Sequence, residues 1–240
     1  MTIEPLLAKL RARSEICGEE EAALRKAFSD FRDYPADKTF VRAGDQLRNA
    51  TLLIEGLVCR YKDLPNGKRQ ICALHLSGDF VDLQGFSLKY LDHNLMTLGP
   101  CRVGIVPHER LLEITETMPH LTRVLWFSTN LDASIHREWE LSLGRRTAVE
   151  RVAHFLCEMR IRSAVVGLGD EDAYPLAITQ TELAECLGLT AVHVNRTLRN
   201  LRERGLAEFR SGAVKIWNVK GLEKLALFEP DYLYLERRSR

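Results

Sequence analysis

The stretch from Ile178 to Gly205, ITQTELAECLGLTAVHVNRTLRNLRERG, decides the fold. Thr179 and Glu182 form a capping box, in which hydroxyl and carboxylate satisfy free amides at the start of a short helix. Leu183, Ala184 and Leu187 form its buried face, and Gly188 permits the left-handed turn that ends it. Thr190 caps a second helix, whose apolar residues Val194, Leu198 and Leu201 recur at helical spacing until Gly205. The pattern predicts a helix-turn-helix with a tight glycine-containing connection.

The outward face of the second helix carries the chemistry. Val192, Arg196, Arg199 and Glu203 point away from the apolar stripe, flanked by His193, Asn195 and Asn200. Arg196 lies in the first half of the helix, the part that meets base edges in a major groove. Its guanidinium can donate two parallel hydrogen bonds to guanine O6 and N7. Amides at Gln180 and Thr190 suit phosphate contacts at helix N-termini. Between Thr190 and Lys215, six positive side chains face two negative ones. Such a patch suits a polyanion. An arginine-rich face alone is as readily a solvated surface. Here cap, glycine turn, apolar repeat and a following β-hairpin wing, Leu206–Phe209 and Ala213–Trp217 around Ser211-Gly212, agree. The candidate DNA-facing set is Thr179, Gln180, Thr190, Val192, His193, Asn195, Arg196 and Arg199.

Upstream, the periodicity changes twice. Ser14 to Phe31 places Ile16, Leu24, Ala27, Phe28 and Phe31 at mostly helical spacing. From Thr39 to about Pro107, short β-forming runs alternate with turns at Ala43-Gly44-Asp45, Leu64-Pro65-Asn66-Gly67, Leu76-Ser77-Gly78-Asp79 and Leu98-Gly99-Pro100. The clearest hairpin joins Leu57–Tyr61 to Arg69–Leu76. The pattern reads as a small antiparallel barrel or jelly roll. Pro119 then opens a helix to about Gly144. Leu121, Val124, Leu125, Ser128, Leu131, Ile135 and Trp139 share one face, suiting a seam between two copies. The dimerisation residues expected are Leu121, Leu125, Ser128, Leu131, Ile135 and Trp139; the alternative is an ordinary helix packed on its own barrel, and Trp126 and Phe127, off the stripe, are available for that packing. A further helix, burying Val149, Val152, Ala153, Leu156 and Met159, runs from Thr147 to about Ser163. The acidic stretch Gly167–Pro175 is expected to project into solvent.

Composition narrows the field. The 240 residues are 45% hydrophobic and 28% charged, which excludes global disorder, and the net charge of +1 names no partner. No stretch approaches the roughly 18 uncharged apolar residues that cross a bilayer. Met1–Glu15 lacks the apolar core of a signal peptide, and six scattered cysteines make neither a disulfide scaffold nor a zinc ribbon. The expected address is a reducing cytoplasm, without membrane contact. There is no P-loop, Gly-x-Ser-x-Gly elbow, His-Glu-x-x-His pair or Gly-x-Gly-x-x-Gly fingerprint, so no enzyme is expected.

Almost the whole chain resembles a CRP/FNR-family transcription regulator. Gly44-Asp45, Gly78-Asp79-Phe80, the long helix and the winged helix occur in that family's order. Leu187-Gly-Leu-Thr-Ala-Val-His-Val-Asn-Arg-Thr-Leu198 is similar to its DNA-binding signature. The resemblance implies an α+β chain with an N-terminal cyclic-nucleotide-binding-like β-roll, a long dimerisation helix and a C-terminal winged helix-turn-helix. The expected divisions are 1–118, the sensor with its N-terminal helices; 119–144, the dimer helix; 145–225, the winged helix; and 226–240, a tail. Implied partners are double-stranded DNA with two-fold symmetry and a second copy. RNA polymerase and an unidentified small-molecule effector stay open. Base-reading positions of the family carry over to Val192, Asn195 and Arg196. The family's usual glutamate at the first of these is valine here.

Sensor chemistry is less defined. Cyclic-nucleotide members hold the phosphate with an arginine beside a Gly-Glu-Leu-type turn. Here that turn reads Asp79-Phe-Val-Asp-Leu-Gln-Gly85, with no arginine between Arg69 and Arg102. Lys89 is the one formal cation in that interval, and Asp79, Asp82 and Asp92 would repel an anion. Cyclic AMP in the family manner is therefore disfavoured. So is an iron–sulfur cluster, because Cys17 stands alone in its region. A redox or haem sensor using Cys59, Cys72 and Cys101, or His75 and His93, remains an alternative, as does a winged-helix adaptor that binds protein.

Overall fold

A computed structural model describes residues 3–170 and 172–238. The chain divides into two compact units. One is built from Met1–Lys62, Ala73–Ala133 and Tyr234–Arg240, the other from Asp63–Cys72 and Ser134–Leu233.

In the first unit, helices α1 (Glu4–Arg11) and α2 (Gly18–Ala27) precede β1 (Asp30–Tyr34), β2 (Thr39–Val41), β3 (Asn49–Glu55) and β4 (Val58–Asp63). After β5 (Arg69–His75), of which residues 73–75 belong to this unit, come the single turn α3 (Gly85–Leu88), β6 (Asn94–Thr97), β7 (Cys101–Pro107) and α4 (His108–Thr117). The strands make two sheets, ordered β1-β7-β3 and β2-β6-β4-β5. Because side chains alternate along a strand, β3 serves two cores at once. Ala50, Leu52 and Ile54 pack beneath the helices with Leu7, Leu24, Leu121 and Leu125, whereas Leu53 joins Val58, Leu95 and Val103 on the other face. The antiparallel β-roll expected from the turn spacing is therefore present, in an α+β chain.

Three local expectations need correction. The helical reading of Ser14–Phe31 stops at Ala27, and the strands begin at Asp30 rather than Thr39. Phe31 pairs with Gly104 in the β1–β7 ladder and stacks on Phe28, with ring centroids 5.7 Å apart. Two apolar residues three apart fit a helix turn, and so short a run does not separate the choices. The end of the acidic stretch 167–175 does not project into solvent. Ala173–Pro175 is a strand, and Tyr174 is 3% exposed with its hydroxyl donating to the Leu156 carbonyl. Glu171 lies outside the described residues.

The third correction concerns α5 (Pro119–Arg145). Of the six residues expected on its seam, Leu121, Leu125 and Trp139 are buried within the chain itself, so they cannot face a second copy. Leu121 and Leu125 fill the core beneath the helices, and Trp139 packs on Phe155. Ser128, Leu131 and Ile135 stay partly accessible. Trp126, available for packing on the barrel, is instead 66% exposed, while Phe127 makes an edge contact with Tyr234. Periodicity identifies an apolar face but not what covers it.

The second unit holds the rest of α5, then α6 (Ala148–Val165), β8 (Ala173–Pro175), α7 (Gln180–Leu187), α8 (Ala191–Glu203), β9 (Ala207–Arg210), β10 (Ala213–Ile216) and α9 (Val219–Ala226). Its sheet runs β8-β10-β9, so the wing is a hairpin with a third strand added from the acidic stretch. Thr147 caps α6 through a box with Glu150. At the centre, Glu158 is fully buried and accepts from Trp139 Nε1 (3.1 and 3.2 Å to its two oxygens), Arg162 Nη1 (2.9 Å) and the Tyr232 hydroxyl (2.9 Å). Three donors offset the desolvation of that carboxylate.

Candidate nucleic-acid interface

Local chemistry builds α7 and α8 as their sequence requires. Thr179 sits in extended backbone at the N-cap of α7; its hydroxyl accepts from the Glu182 amide at 3.1 Å, and the Glu182 carboxylate accepts from the Thr179 amide. Gly188 ends α7 at φ 60°, a left-handed conformation that glycine adopts without steric cost. The Thr190 hydroxyl accepts from the His193 amide at 3.3 Å and starts α8. Val194, Leu198 and Leu201 are buried beneath it.

The opposite face is open. Val192 is 76% exposed, and His193, Asn195, Arg196 and Arg199 are all exposed, as are Thr179, Gln180 and Thr190. Asn195 Nδ2 donates to Gln180 Oε1 at 3.2 Å, tying the first turn of α7 to α8. Among the described residues, Arg196 and Arg199 make no hydrogen bond or ion pair, so both guanidiniums keep their donors for another molecule. Arg202 lies 3.9 Å from Glu208, a loose exposed contact. Arg204, Arg210 and Lys215 complete an exposed basic surface.

Two supporting residues escaped the sequence reading. Gln70 donates its side-chain amide to the carbonyls of Glu185 (2.7 Å) and Cys186 (3.2 Å) at the end of α7. Arg151 spans the carbonyls of Leu187 (3.1 Å), Leu143 (2.8 Å) and Arg146 (3.0 Å). Both satisfy carbonyls that a helix end leaves without partners. The sequence offers no signal for Gln70; for Arg151 the sole hint is an arginine bordering the buried stripe of α6.

In the first unit, the acidic residues read as repelling an anion are already engaged. Lys9 pairs with Asp79, and Lys62 with His93 holds Asp92 down to about 2. Asp82 is buried and accepts from the Thr51 amide at 2.5 Å; desolvation pushes it up to about 6, against the pull of that amide and of Arg60. Arg60, on β4, is the cation missed by looking only between Arg69 and Arg102. Its side chain is 4% exposed, and it pairs with Asp132 of α5. Cys59 and Cys101 are buried, Cys72 is half-buried, and desolvation raises the Cys101 thiol. His75 and His93 stand near Asp79 and Asp92. Among the described residues no group of three or more His, Cys, Asp or Glu could hold a metal ion.

Comparison with known proteins accords with this geometry. Residues 31–118 match the cyclic nucleotide-binding domain family, and residues 150–225 match the Crp-like helix-turn-helix domain. The chain is 30% identical to the transcriptional activator protein FnrL of Cereibacter sphaeroides over 200 residues, 82% of this chain and 79% of the relative. It is 29% identical to the nitrogen fixation regulation protein FixK of Bradyrhizobium diazoefficiens, over 89% of this chain and 90% of that protein. The solved structure of FixK2 from Bradyrhizobium japonicum superposes with a TM-score of 0.72 at 26% identity, covering 82% of this chain and 96% of that one. Among the described residues no helix is long and apolar enough to cross a membrane. The chain belongs to the CRP/FNR family of DNA-binding transcription regulators.

Proposed function

We propose that two copies of this chain bind a two-fold symmetric duplex in the cytoplasm and act on transcription through RNA polymerase, without a catalytic step. The observation that carries this reading is the open face of α8, where Arg196 and Arg199 project beside an exposed Val192. In a major groove Arg196 donates to guanine O6 and N7, and Val192 offers an apolar surface to a thymine methyl. Asn195 is held by Gln180, so it acts with that partner. Thr179, Gln180, Thr190, His193 and Arg199 border the groove and meet phosphates, which position the helix without reading sequence. The seam between copies falls to the part of the α5 stripe left accessible, Ser128, Leu131 and Ile135. An isologous contact of that kind gives the symmetry the duplex requires.

Selection from a randomised duplex pool tests the reading. Recovered sequences should be inverted repeats with half-site centres about one helical turn apart, roughly 34–36 Å. Sequences without symmetry, or no enrichment, would contradict it. Light scattering on Leu131→Asp and Ile135→Asp should show a dimer falling to a monomer.

A further inference from the structure

The match to a cyclic nucleotide-binding domain implies a ligand whose phosphodiester is a monoanion. Buried, such a group needs a cation with donors to spare. Among the described residues, the cations that pair with or flank the turn 79–85 are Lys9, Lys89 and Arg60. Lys9 is paired with Asp79. Lys89 is exposed; its Nζ donates to the Phe86 carbonyl at 2.6 Å and lies over the Phe86 ring. Arg60 is closed on three sides. Nε and Nη2 donate to the Val81 carbonyl at 3.0 and 2.8 Å, Nη2 also reaches Gln84 Oε1 at 3.3 Å, and Nη1 is held by Asp132. The buried carboxyl of Asp82 lies in the same surroundings. A phosphate at Arg60 would have to displace the Asp132 carboxylate that already holds it. These residues do not fit a cyclic nucleotide.

We infer that Asp132 is the sensor's built-in anion: the carboxylate of α5 occupies Arg60 in place of a small-molecule effector. Strand β4 and helix α5 are thereby tied by a bond needing no ligand. Given the regulator reading, on which this step rests, the DNA-binding arrangement is reached without an anionic signal. The Asp132 side chain is 26% exposed, so water and small ions have a route to the pair.

Chemical rescue tests this in the full-length protein. Asp132→Ala should melt several degrees below the unaltered chain in sodium chloride, and sodium formate at equal ionic strength should recover much of that loss. If Asp132→Ala does not fold in chloride, folding in formate is the same result. Formate should leave the unaltered chain unmoved, and calorimetry with cyclic AMP should show no stoichiometric binding. An unchanged melting temperature in Asp132→Ala, a loss that formate does not recover, or micromolar cyclic AMP binding by the unaltered chain would each overturn the inference. None of these readouts uses DNA, so a failure of the regulator reading shows separately, as failure of the unaltered chain to bind any selected duplex. On such a duplex, Asp132→Ala should bind about tenfold more weakly, within the usual range of coupling between sites, with formate again restoring it.

Discussion

Trp139 donates its indole N–H to both carboxylate oxygens of Glu158, at 3.2 and 3.1 Å, and so fixes the later part of α5 to α6. Trp139→Phe keeps an aromatic ring near Phe155 but removes the donor from a fully buried carboxylate. It should cost about 1–3 kcal/mol, read by denaturant unfolding. Glu158→Ala should cost more, about 3–5 kcal/mol, because Arg162, Trp139 and Tyr232 all lose the buried carboxylate they share.

The cap of α7 is a separable contribution. Thr179→Ala removes the acceptor for the Glu182 amide and should lower stability by about 1 kcal/mol, whereas Thr179→Ser should be near neutral. Thermal melting of the two variants checks this.

Stability should depend on pH in two opposed ways. His154 is 2% exposed, and burial with the nearby Arg146 charge holds its imidazole down to about 3; its 3.3 Å approach to Glu138 is therefore a neutral contact. Unfolded, it titrates near 6.5, so the unfolded chain binds the extra proton and stability falls as pH drops from about 6.5 toward 3. Asp82 has the opposite sign. Folded it titrates at about 6. Unfolded, its value is near 3.9, so its contribution rises as pH drops from about 6 toward 4. Relative to the parent, His154→Gln should gain stability on acidification. Asp82→Asn should lose about 1–3 kcal/mol of its relative stability between pH 8 and pH 4. Parallel profiles for variant and parent would contradict both assignments.

The proposed base contact of Val192 can be tested by exchanging its chemistry. Val192→Glu replaces an apolar surface with an acceptor suited to cytosine N4. Selection with the variant should shift the base recovered at one position in each half-site and leave the position read by Arg196 unchanged.

The helix-turn-helix was legible because its determinants are local: Thr179 with Glu182, Gly188, Thr190 and the Val194, Leu198, Leu201 stripe each fix their own neighbourhood. The β-roll was legible from its turns, but its start was not, since Phe28 and Phe31 satisfy a helix turn as well as the packing against β7. On α5 the stripe was correct as a pattern and misassigned in part, because a period of 3.6 does not tell a core within the chain from a seam between chains. Arg60 lies outside the interval from Arg69 to Arg102, and nothing local in the sequence shows Val81, Gln84 and Asp132 closing around it. Gln70 was beyond reach: it acts on a helix end more than one hundred residues later in the sequence.

The most direct measurement is fluorescence anisotropy of the unaltered chain and Arg196→Ala on a selected symmetric duplex and on duplexes altered at one base pair per half-site. Arg196→Ala should weaken binding by about 1–3 kcal/mol and stop discriminating at one position in each half-site, while still distinguishing the others. Equal affinity and unchanged discrimination would contradict the assignment of α8 as the reading helix.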